Sequence, residues 1–582
     1  MEIALRSSYE LVPGDTVEAQ FPNSWTMLTG PSFTRELQTS DAKAPHYVAV
    51  TAPGATFAVE IRSRHLFTPD KPGRHGRHIV ATLAKGRVPA GVEIRLAYAN
   101  TFAPYVAETD TVWLRVKGES PRKPVALTVT PLEAASLRIL APSFARPGKR
   151  FNVRIVSLDR FDNLSSTRFR GRTLRRSDGK TVARKLSFTG GTSVPLVLRR
   201  EGVFRFSMNG VISNAVKVAK EARGPYWGDL HIHTKVSSDG QGTDPYGYAR
   251  EVSALDFGAT ADHVESMGEA GYRQTVAWLE AAHDPGRFVT IPADERNPAA
   301  WTGHHNLSFR SLEAFLAGAR AGGESEPVPG DAGTTMLVPH HTGIGWGGGP
   351  TAGKGAAVDW DAVDDRGRRP VMEIYSHHGQ SEVYAPEHIL SYELNRMRNP
   401  ERRSNVSVPG PFYAQDYWMA GRRIGVIASS DEHSGQGGRR HGGLAAVFAK
   451  NLTREDVFDA LRARQCYATT GERILLDFSV AGATTGNETS VAKGAKVPVR
   501  LRVWGADLLL RVELLRFRQG IDRGFIPIWS VAPRPESMDC ALDMDDDIVA
   551  SAIYYARMVQ EPLAWPGMAW TSPVWVDVRG ES

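Results

Sequence analysis

The chain has 582 residues, of which 41% are hydrophobic and 23% are charged, and these proportions exclude a disordered chain. The net charge of +6 results from 70 lysines and arginines against 64 aspartates and glutamates, and it suits an anionic small-molecule substrate. Because the sequence contains no long basic run, we expect no nucleic-acid partner.

The cysteine count and the amino-terminal sequence bear on where the protein resides. Cys466 and Cys540 are too few for a disulfide framework, so a reducing compartment is expected. The amino terminus lacks the apolar core of a signal peptide, and no apolar stretch reaches the ~18 residues needed to span a bilayer. We therefore expect a cytoplasmic protein without a membrane partner.

Short segments of alternating apolar and polar residues fill the first part of the chain, as in HYVAVTA and FNVRIVSL. This alternation, interrupted by Gly, Pro, Asn and Asp, predicts antiparallel β-sandwiches. A break near VTPLEAAS divides the region into a sandwich over residues 1–130 and an immunoglobulin-like sandwich over residues 131–220. We expect these sandwiches to position a substrate or to mediate homo-oligomerisation.

The pattern changes over residues 224–474 to short apolar strands that alternate with amphipathic helices. One predicted helix begins with Asp244 as N-cap, and another has Thr453 and Asp456 at the spacing of a capping box. Strands alternating with helices predict an α/β region with a mostly parallel sheet or a barrel. Segments such as VPVRLRVWG then predict a small β-rich domain over residues 475–582.

Residues of metal-binding type follow one apolar strand of the central region after another. Alternate side chains of a strand share a face, so His231 and His233 of YWGDLHIHT can hold one ion. Further strands end in Asp262, His263, Glu295, His340, Glu373, His377, His378, Asp431 and His433. In an α/β barrel all the strands open at one face, so we expect these side chains to converge on one pocket.

The order of these motifs resembles a known family. GDLHIHTKVSSDG, TADH, PADE, PHH and SSDEH are similar to the successive motifs of the PHP (polymerase and histidinol phosphatase) superfamily of metal-dependent phosphoesterases. GHHN, EIYSHHGQSE, RARQCYATTGERI and AWTSPVWV resemble its DUF3604 branch, which is related to carbaryl-hydrolase-like metallohydrolases. The resemblance covers residue 226 to the carboxyl terminus, and it implies a distorted seven-stranded (β/α) PHP barrel with up to three divalent metal ions.

The resemblance also implies which residues hold each ion. One ion would be bound by His231, His233, Glu295 and Asp431. A second would share Glu295 and bind His340 and one histidine of GHHN, where the pattern G-H-x-N favours His304 over His305. A third would be bound by Asp239, His263 and His433. Asp239 stands where some family members have histidine, which would change the affinity or the identity of the third ion.

Imidazole and carboxylate ligands suit Zn, Mn or Fe, so two or three such ions are the expected cofactors. A water bridging such ions loses its proton near neutral pH, and the resulting hydroxide attacks a phosphoryl or carbonyl centre. The predicted function is therefore a metal-dependent hydrolase acting on a phosphomonoester or phosphodiester. Two alternatives stay open: a carboxyl ester or carbamate hydrolase on the same centre, and a non-catalytic binding or scaffold protein stabilised by metal.

Individual roles follow from this hypothesis. The residues expected to be catalytic are His231, Glu295, Asp431, His378 and Glu373. The residues expected to contact substrate are His341, His377, Arg439, Arg440 and His441, and for the loop residues among them a solvated surface role is an open alternative. Asp229, two residues before His231, is expected to orient a ligand histidine.

Overall fold

The structure is a computed structural model. It describes the chain except residues 27–36, 65–71, 102, 119–122, 221–223, 238, 297–302, 321–330, 346–357, 359–365, 399–404, 535, 563–564 and 581–582. Strands account for 47% of the chain and helices for 11%. Within this described part, no helix is long and apolar enough to cross a membrane.

The first region is an antiparallel β-sandwich. Its elements are β1 (Glu2–Arg6), β2 (Thr16–Phe21), α1 (Asn23–Thr26), β3 (Tyr47–Thr51), β4 (Thr56–Arg64), β5 (Pro72–Lys85), β6 (Glu93–Ala99), β7 (Thr109–Val116) and β8 (Lys123–Thr128). One sheet has the order β1-β6-β3 and the other β4-β5-β2-β7-β8. Residues such as Val50 and Ala81 from the two sheets share one hydrophobic core, as the alternating sequence predicts.

In its described part, the second region consists of strands without a helix. They are β9 (Ser136–Leu140), β10 (Phe144–Ala145), β11 (Arg150–Leu158), β12 (Arg168–Arg176), β13 (Thr181–Thr189), β14 (Gly191–Val197), β15 (Gly202–Phe204), β16 (Phe206–Met208), β17 (Val211–Ile212) and β18 (Val216–Val218). Three small sheets, β14-β11-β9, β13-β12-β16-β17 and β10-β18-β15, enclose a second core that includes Ile155 and Phe206.

The central region mixes strands and helices. Its strands are β19 (Tyr226–Ile232), β20 (Phe257–Thr260), β21 (Val289–Thr290), β22 (Ala293–Arg296), β23 (His305–Phe309), β24 (Thr335–Pro339), β25 (Ile344–Gly345), β26 (Val371–Ser376), β27 (Gly379–Gln380), β28 (Val406–Ser407), β29 (Gly425–Ala428), β30 (Leu444–Val447) and β31 (Cys466–Thr469). Its helices are α2 (Pro245–Glu251), α3 (Val264–Ala282), α4 (Leu312–Arg320), α5 (Tyr392–Arg398), α6 (Ala414–Met419) and α7 (Arg454–Arg462). Asp244 accepts a hydrogen bond from Gly247 N, and Thr453 accepts one from Asp456 N, so both predicted N-caps are confirmed.

The last region returns to strands. They are β32 (Leu475–Val480), β33 (Ala483–Thr484), β34 (Glu488–Val491), β35 (Ala495–Trp504), β36 (Leu509–Arg518), β37 (Ile526–Val531), β38 (Asp539–Ile548), β39 (Ala552–Gln560), β40 (Gly567–Thr571) and β41 (Val574–Val578). An 11-stranded sheet contains β21-β20-β19-β30-β31-β40-β39-β36-β37, with β34 and β41 beside it. One sheet therefore runs from the central region into the last region, because β31 pairs with β40.

The predicted (β/α) barrel is wrong. A barrel of this type needs parallel strands, each followed by a helix that covers it. Here β19 pairs in parallel with β20 but antiparallel with β30, and β22, β23 and β24 form an antiparallel sheet of their own. In the part of the chain that is described, the strands lie in several separate sheets and close no barrel. The alternation of strands and helices in sequence does not specify which strands pair.

Five strands of the central region nevertheless share one buried core. Leu230 of β19, Ala293 of β22, Val338 of β24, Val371 of β26 and Ile427 of β29 belong to a single hydrophobic cluster. Close packing of these apolar side chains fixes the position of each strand relative to the others. The polar residues at or after those ends are therefore held near one another, although no barrel brings them there.

Candidate metal centre

Nine histidines and four carboxylates gather around the ends of these five strands, and each contacts other members of the set. They are His231, His233, His263, His304, His340, His341, His377, His378, His433, Asp239, Glu295, Glu373 and Asp431. Most of these side chains are buried, and His231 and His340 are 0% exposed. Buried ionisable groups in such number require neutralising partners.

Four of the donor atoms form a compact group at the end of β19. His231 Nε2 lies 3.1 Å from His233 Nε2, 3.7 Å from Glu295 Oε2 and 3.4 Å from Asp431 Oδ1. His233 Nε2 lies 3.2 Å from Glu295 Oε2 and 3.4 Å from Asp431 Oδ1. A tetrahedral ion with ligands at about 2.0–2.1 Å separates its ligand atoms by about 3.3 Å. The group therefore has the dimensions of one coordination shell.

Glu295 Oε2 supplies a second reason to place a cation here. This oxygen is buried and makes no hydrogen bond with any described residue, although two imidazole nitrogens lie within 3.2 Å of it. A buried carboxylate oxygen without a hydrogen bond is costly. A divalent cation among these atoms would compensate for the missing hydrogen bond, so the residues present fit a metal ion.

The other oxygen of Glu295 faces a second group of donors. Glu295 Oε1 lies 3.0 Å from His304 Nδ1 and 3.1 Å from His340 Nε2. Donor atoms of His304, His340 and His341 lie within 4.8 Å of one another. Glu295 thus presents one oxygen to each group, as a bridging carboxylate does. His305 differs, because its Nδ1 lies 3.4 Å from the carbonyl oxygen of Gly303.

A third group surrounds Asp239, the residue predicted to hold a third ion. Asp239 Oδ2 lies 3.5 Å from His263 Nε2, and Asp239 Oδ1 lies 3.4 Å from His433 Nδ1. The other ring nitrogen of His433 lies 3.4 Å from Asp431 Oδ1. The His433 ring therefore connects the third group to the first.

Asp431 also belongs to a fourth group that the sequence did not assign to metal binding. Its Oδ2 lies 2.9 Å from His378 Nε2, and His341 completes the group. Sequence reasoning assigned His378 to catalysis and His341 to substrate contact, because neither stands at a position that the family motifs link to a metal. Asp431 itself has a left-handed backbone, with φ 53°. Such a conformation is uncommon in residues other than glycine, and it is concentrated at functional sites.

Asp229 and Glu373 contact residues of the first group and fix their positions. Asp229 accepts hydrogen bonds from the backbone N–H of His231, Ser430 and Gly438, at 3.2, 2.9 and 2.8 Å. It therefore holds the backbone at two ligand positions, whereas we expected it to orient an imidazole ring. Glu373 has that role, since its Oε2 lies 3.4 Å from His231 Nδ1.

Burial and ion pairing shift the pKa values in opposite directions within the cluster. Burial raises the pKa of Glu373 to about 7. Burial would also raise the pKa of Asp431, but His231 and His378 outweigh it and hold that pKa well below its usual value. Burial would lower the pKa of His231, but Asp431 and Glu373 outweigh it and raise that pKa. Asp431 is thus held as a carboxylate, the form that binds metal.

His377 follows β26 and Asp262 follows β20, the strand ends at which they were predicted. His377 packs against the rings of His378 and His433, at 4.4 and 5.8 Å between centroids, and so borders the cluster. Asp262, which ends a strand, accepts hydrogen bonds from Thr234 N and Oγ1 at 2.7 and 2.8 Å, and so fixes a loop.

The three residues of the RRH segment, which we expected to contact substrate, have contacts outside the four donor groups described above. Arg439 pairs with Asp162 of the second sandwich, with Nε 2.8 Å from Oδ2. Arg440 and His441 line a separate cavity. The loop after β29 brings Arg439 against the second sandwich and places Arg440 and His441 beside β9.

Two further residues contact cluster histidines and were missed from the sequence. Ser237 Oγ lies 3.0 Å from His233 Nδ1. Asn405 Nδ2 lies 3.0 Å from His378 Nδ1. Ser237 lies within the GDLHIHTKVSSDG segment, so its place beside a ligand histidine could have been predicted from that motif. The position of Asn405 could not, because it depends on a contact between residues 27 apart in the chain.

Comparison with known proteins gives one family match. Residues 419–497 match the model of DUF3604, a protein family of unknown function. This segment contains Asp431 and His433 of the cluster. An uncharacterized protein of Chlamydia pneumoniae is 33% identical over 154 residues, and one of Chlamydia trachomatis is 30% identical over the same length. Each match covers 24% of this chain, and the chain spans 23% of the length of these curated relatives.

Solved structures resemble the chain only distantly. Domains 4 and 5 of the S-layer protein SbsC are 16% identical, with a TM-score of 0.11 over 20% of this chain and 68% of that one. The β-glucuronidase of Parabacteroides merdae is 7% identical, with a TM-score of 0.16 over 100% of this chain and 79% of that one. Scores this low carry no information on fold or function.

Proposed function

We propose that this protein is a metal-dependent hydrolase that acts on phosphoesters. The observation that carries the proposal is the position of Glu295, whose two oxygens face two separate sets of histidines at 3.0–3.7 Å. A carboxylate shared in this way is typical of centres that hold two cations a few ångströms apart. A single structural ion needs four ligands, and this cluster offers more.

The sequence motifs support the same proposal from a different direction. The residues of the four donor groups lie in segments that resemble PHP motifs, from GDLHIHTKVSSDG to SSDEH, and in the segments GHHN and EIYSHHGQSE between them, which resemble the DUF3604 branch. The DUF3604 match covers the last of these motifs. Membership of the PHP superfamily and the relation to carbaryl-hydrolase-like enzymes are part of this proposal.

The chemistry depends on what the chain's own residues hold in place. When bound, divalent ions would lower the pKa of a water and polarise a phosphoryl oxygen. His231, His233, Glu295 and Asp431 would hold one ion, with Glu295 shared towards His340 and His304. Glu373 fixes the orientation of the His231 ring, and Asp229 fixes the two backbone segments that carry His231 and Asp431.

His377 and His378 are the residues we assign to the substrate side of the centre. His378 is anchored by Asp431 on one nitrogen and by Asn405 near the other, so its ring orientation is fixed. His377 is 8% exposed, which is more than His231, His233 or His340. A protonated imidazole at His377 would stabilise a phosphoryl oxygen or donate a proton to a leaving group.

A substrate panel tests the proposal. The protein is stripped with a chelator and reloaded with Mn²⁺, Zn²⁺ or Fe²⁺, and hydrolysis of p-nitrophenyl phosphate, bis-p-nitrophenyl phosphate, an aryl acetate and an aryl carbamate is followed. We expect turnover of a phosphoester that disappears on stripping and returns on reloading. Metal-dependent turnover confined to the acetate or the carbamate would reassign the substrate class. No turnover together with less than one bound ion per chain would overturn the proposal.

A further inference from the structure

Two ligands of the third donor group, Asp239 and His433, lie on loops and reach solvent. Their side chains are 31% and 14% exposed, against 0% for His231 and 4% for Asp431 of the first group. Asp239 lies in the loop between β19 and α2, and His433 lies in the loop between β29 and β30. Loops are less constrained than strands, so other contacts must fix these two ligands relative to each other.

Backbone hydrogen bonds join the two loops. Gln241 N donates to the carbonyl oxygen of His433 at 2.9 Å, and Gly435 N donates to the carbonyl oxygen of His233 at 3.1 Å. The position of Asp239 therefore depends on the contact between the two loops.

The two backbones touch directly at Gly242 and Gly435. Gly242 has φ 98°, and a Cβ atom there would lie 2.6 Å from the carbonyl oxygen of Ser434. Gly435 has φ 69°, and a Cβ atom there would lie 3.0 Å from Gly242 Cα. Both positions therefore require glycine, and a displacement of Gly242 would alter the packing of the loop that carries His433.

The first sandwich contacts Gly242 through Glu108, which lies just before β7. Glu108 Oε1 accepts a hydrogen bond from Gly242 N at 3.3 Å, and the Thr243 side chain hydrogen-bonds to the Glu108 carboxylate as well. The ammonium group of Lys235, at the start of the same loop, attracts this carboxylate. One side chain of the first sandwich thus interacts with both ends of the loop that carries Asp239.

The backbone on both sides of Glu108 is fixed. Asp110 of β7 is 5% exposed and accepts a hydrogen bond from Trp25 Nε1 at 2.9 Å. On the other side of Glu108, Ala107 N donates to Asn163 Oδ1 of the second sandwich at 2.8 Å. A side chain on so rigid a support can hold a loop in place.

We propose that Glu108 of the first sandwich is a positioning residue for the third cation. By binding Gly242 N, it fixes the loop of Asp239 against the loop of His433, so that Asp239 Oδ1 and His433 Nδ1 stay 3.4 Å apart, within reach of one ion. Residues of this kind, outside the ligand set, typically change metal affinity 10- to 100-fold. The inference rests on the metal centre of the proposed function and is independent of which substrate is hydrolysed.

Competition between the stripped protein and a chelator of known affinity for Zn²⁺ measures the affinity of each ion, and mass spectrometry under non-denaturing conditions counts the ions. Asp239→Asn identifies the third ion as the one that it removes. Glu108→Ala should weaken this ion by about 10- to 100-fold and leave the other two unchanged. Glu108→Gln keeps an acceptor oxygen for Gly242 N and should restore the wild-type affinity.

Glu2→Ala is the matched control, because Glu2 is exposed on β1 of the same sandwich. It should bind all three ions as the wild type does, and circular dichroism would verify that every variant is folded. In the Asp239→Asn background, Glu108→Ala should have no further effect on the two remaining ions. Thr243→Val removes the other hydrogen bond to Glu108 and should weaken the same ion to a smaller degree, so it serves as the test if Glu108→Ala does not fold.

Wild-type affinity for the third ion in Glu108→Ala, or in Thr243→Val where that variant serves as the test, would overturn the inference. An equal loss of all three ions, or a Glu108→Gln variant as weak as Glu108→Ala, would overturn it as well, and so would a wild type that binds fewer than three ions. The substrate panel tests the proposed function separately. Three bound ions without turnover would overturn that function and leave this inference standing.

Discussion

The candidate metal centre and the cavity lined by Arg440 and His441 take residues from one loop and differ in chemistry. The loop between β29 and β30 carries Asp431 and His433 at its start and Arg440 and His441 near its end. At its start, imidazole nitrogens and carboxylate oxygens with lone pairs converge on each other. Near its end, the cavity wall combines guanidinium and indole N–H donors with the carboxylates of Glu472, Asp507 and Glu561.

This difference shows that burial of polar residues does not by itself predict what binds. Both regions contain buried histidine and charged residues, yet within the described part of the chain Glu295 Oε2 accepts no hydrogen bond while Arg138 Nη1 donates none. A cation would compensate for the first deficiency and a hydrogen-bond acceptor for the second. The type of atom left without a partner therefore distinguishes the two regions.

The largest expected effect comes from Glu295, the carboxylate shared by two donor groups of the candidate metal centre. Glu295→Gln should remove the ions of both groups that share it, so metal content should fall by up to two ions, leaving at most the one ion of the Asp239 group. Phosphodiesterase activity should drop by at least about 1,000-fold, beyond the 10–100-fold typical of a residue outside the ligand set. Mass spectrometry of bound metal and hydrolysis of bis-p-nitrophenyl phosphate measure the two effects.

Glu133→Gln is the control for this substitution, since Glu133 is exposed and lies outside the cluster. It should retain full metal content and full activity. Two ions per chain in Glu295→Gln would contradict the bridging role assigned to this carboxylate.

The neighbouring histidines of GHHN form a natural matched pair. His304→Asn should weaken binding of the second ion by more than the 10–100-fold typical of a residue outside the ligand set, because His304 faces Glu295 Oε1 with a donor group of that ion. His305→Asn should leave the affinity of that ion nearly unchanged, because the His305 Nδ1 atom faces the carbonyl oxygen of Gly303. Titration against a chelator of known affinity measures both. A larger loss of affinity for the second ion in His305→Asn than in His304→Asn would assign the ligand role to His305.

Acid should destabilise the cavity wall around His441. Burial lowers the pKa of this histidine to about 4, beside Glu472, Arg440 and Arg138. A depressed pKa stabilises the fold above the unfolded value of about 6.5, and this contribution is lost as the pH falls towards 4. The expected loss is on the order of 2–3 kcal/mol in the free energy of unfolding. Urea denaturation at pH 7 and pH 4.5 should therefore show a smaller acid loss in His441→Gln, and an equal loss would refute the assignment.

The smallest expected effect concerns Arg439, which connects the loop to the second sandwich. Its pair with Asp162 leaves the two side chains 25% and 18% exposed, so solvent screens part of the attraction. Arg439→Gln should lower the free energy of unfolding by about 1–3 kcal/mol. Asp162→Asn should have a similar effect, and the double variant should lose less than the sum of the two. Strict additivity would show that the pair does not couple the loop to the sandwich.

The sequence predicted the residues of the cluster better than the fold that holds them. His231, His233 and Glu295 were identified because each stands at a strand end with a spacing that motifs preserve. The barrel was wrong because sequence alternation does not determine strand pairing: β30 and β31 meet antiparallel, and β40, about 100 residues later, pairs with β31. Arg440 and His441 were predicted to contact substrate, and nothing in the sequence indicates that they line a cavity together with Arg138 of β9.

The sequence by itself determined the two sandwich-like regions, the helix caps at Asp244 and Thr453, and the histidine and carboxylate positions of the metal centre. These features depend on local alternation, on caps three residues apart and on short motifs. Only the tertiary structure decided the sheet pairing, the support of His231 by Glu373, and the cavity around Arg138. Each of these depends on contacts between residues that lie far apart in the chain, and local periodicity contains no information on which distant segments meet.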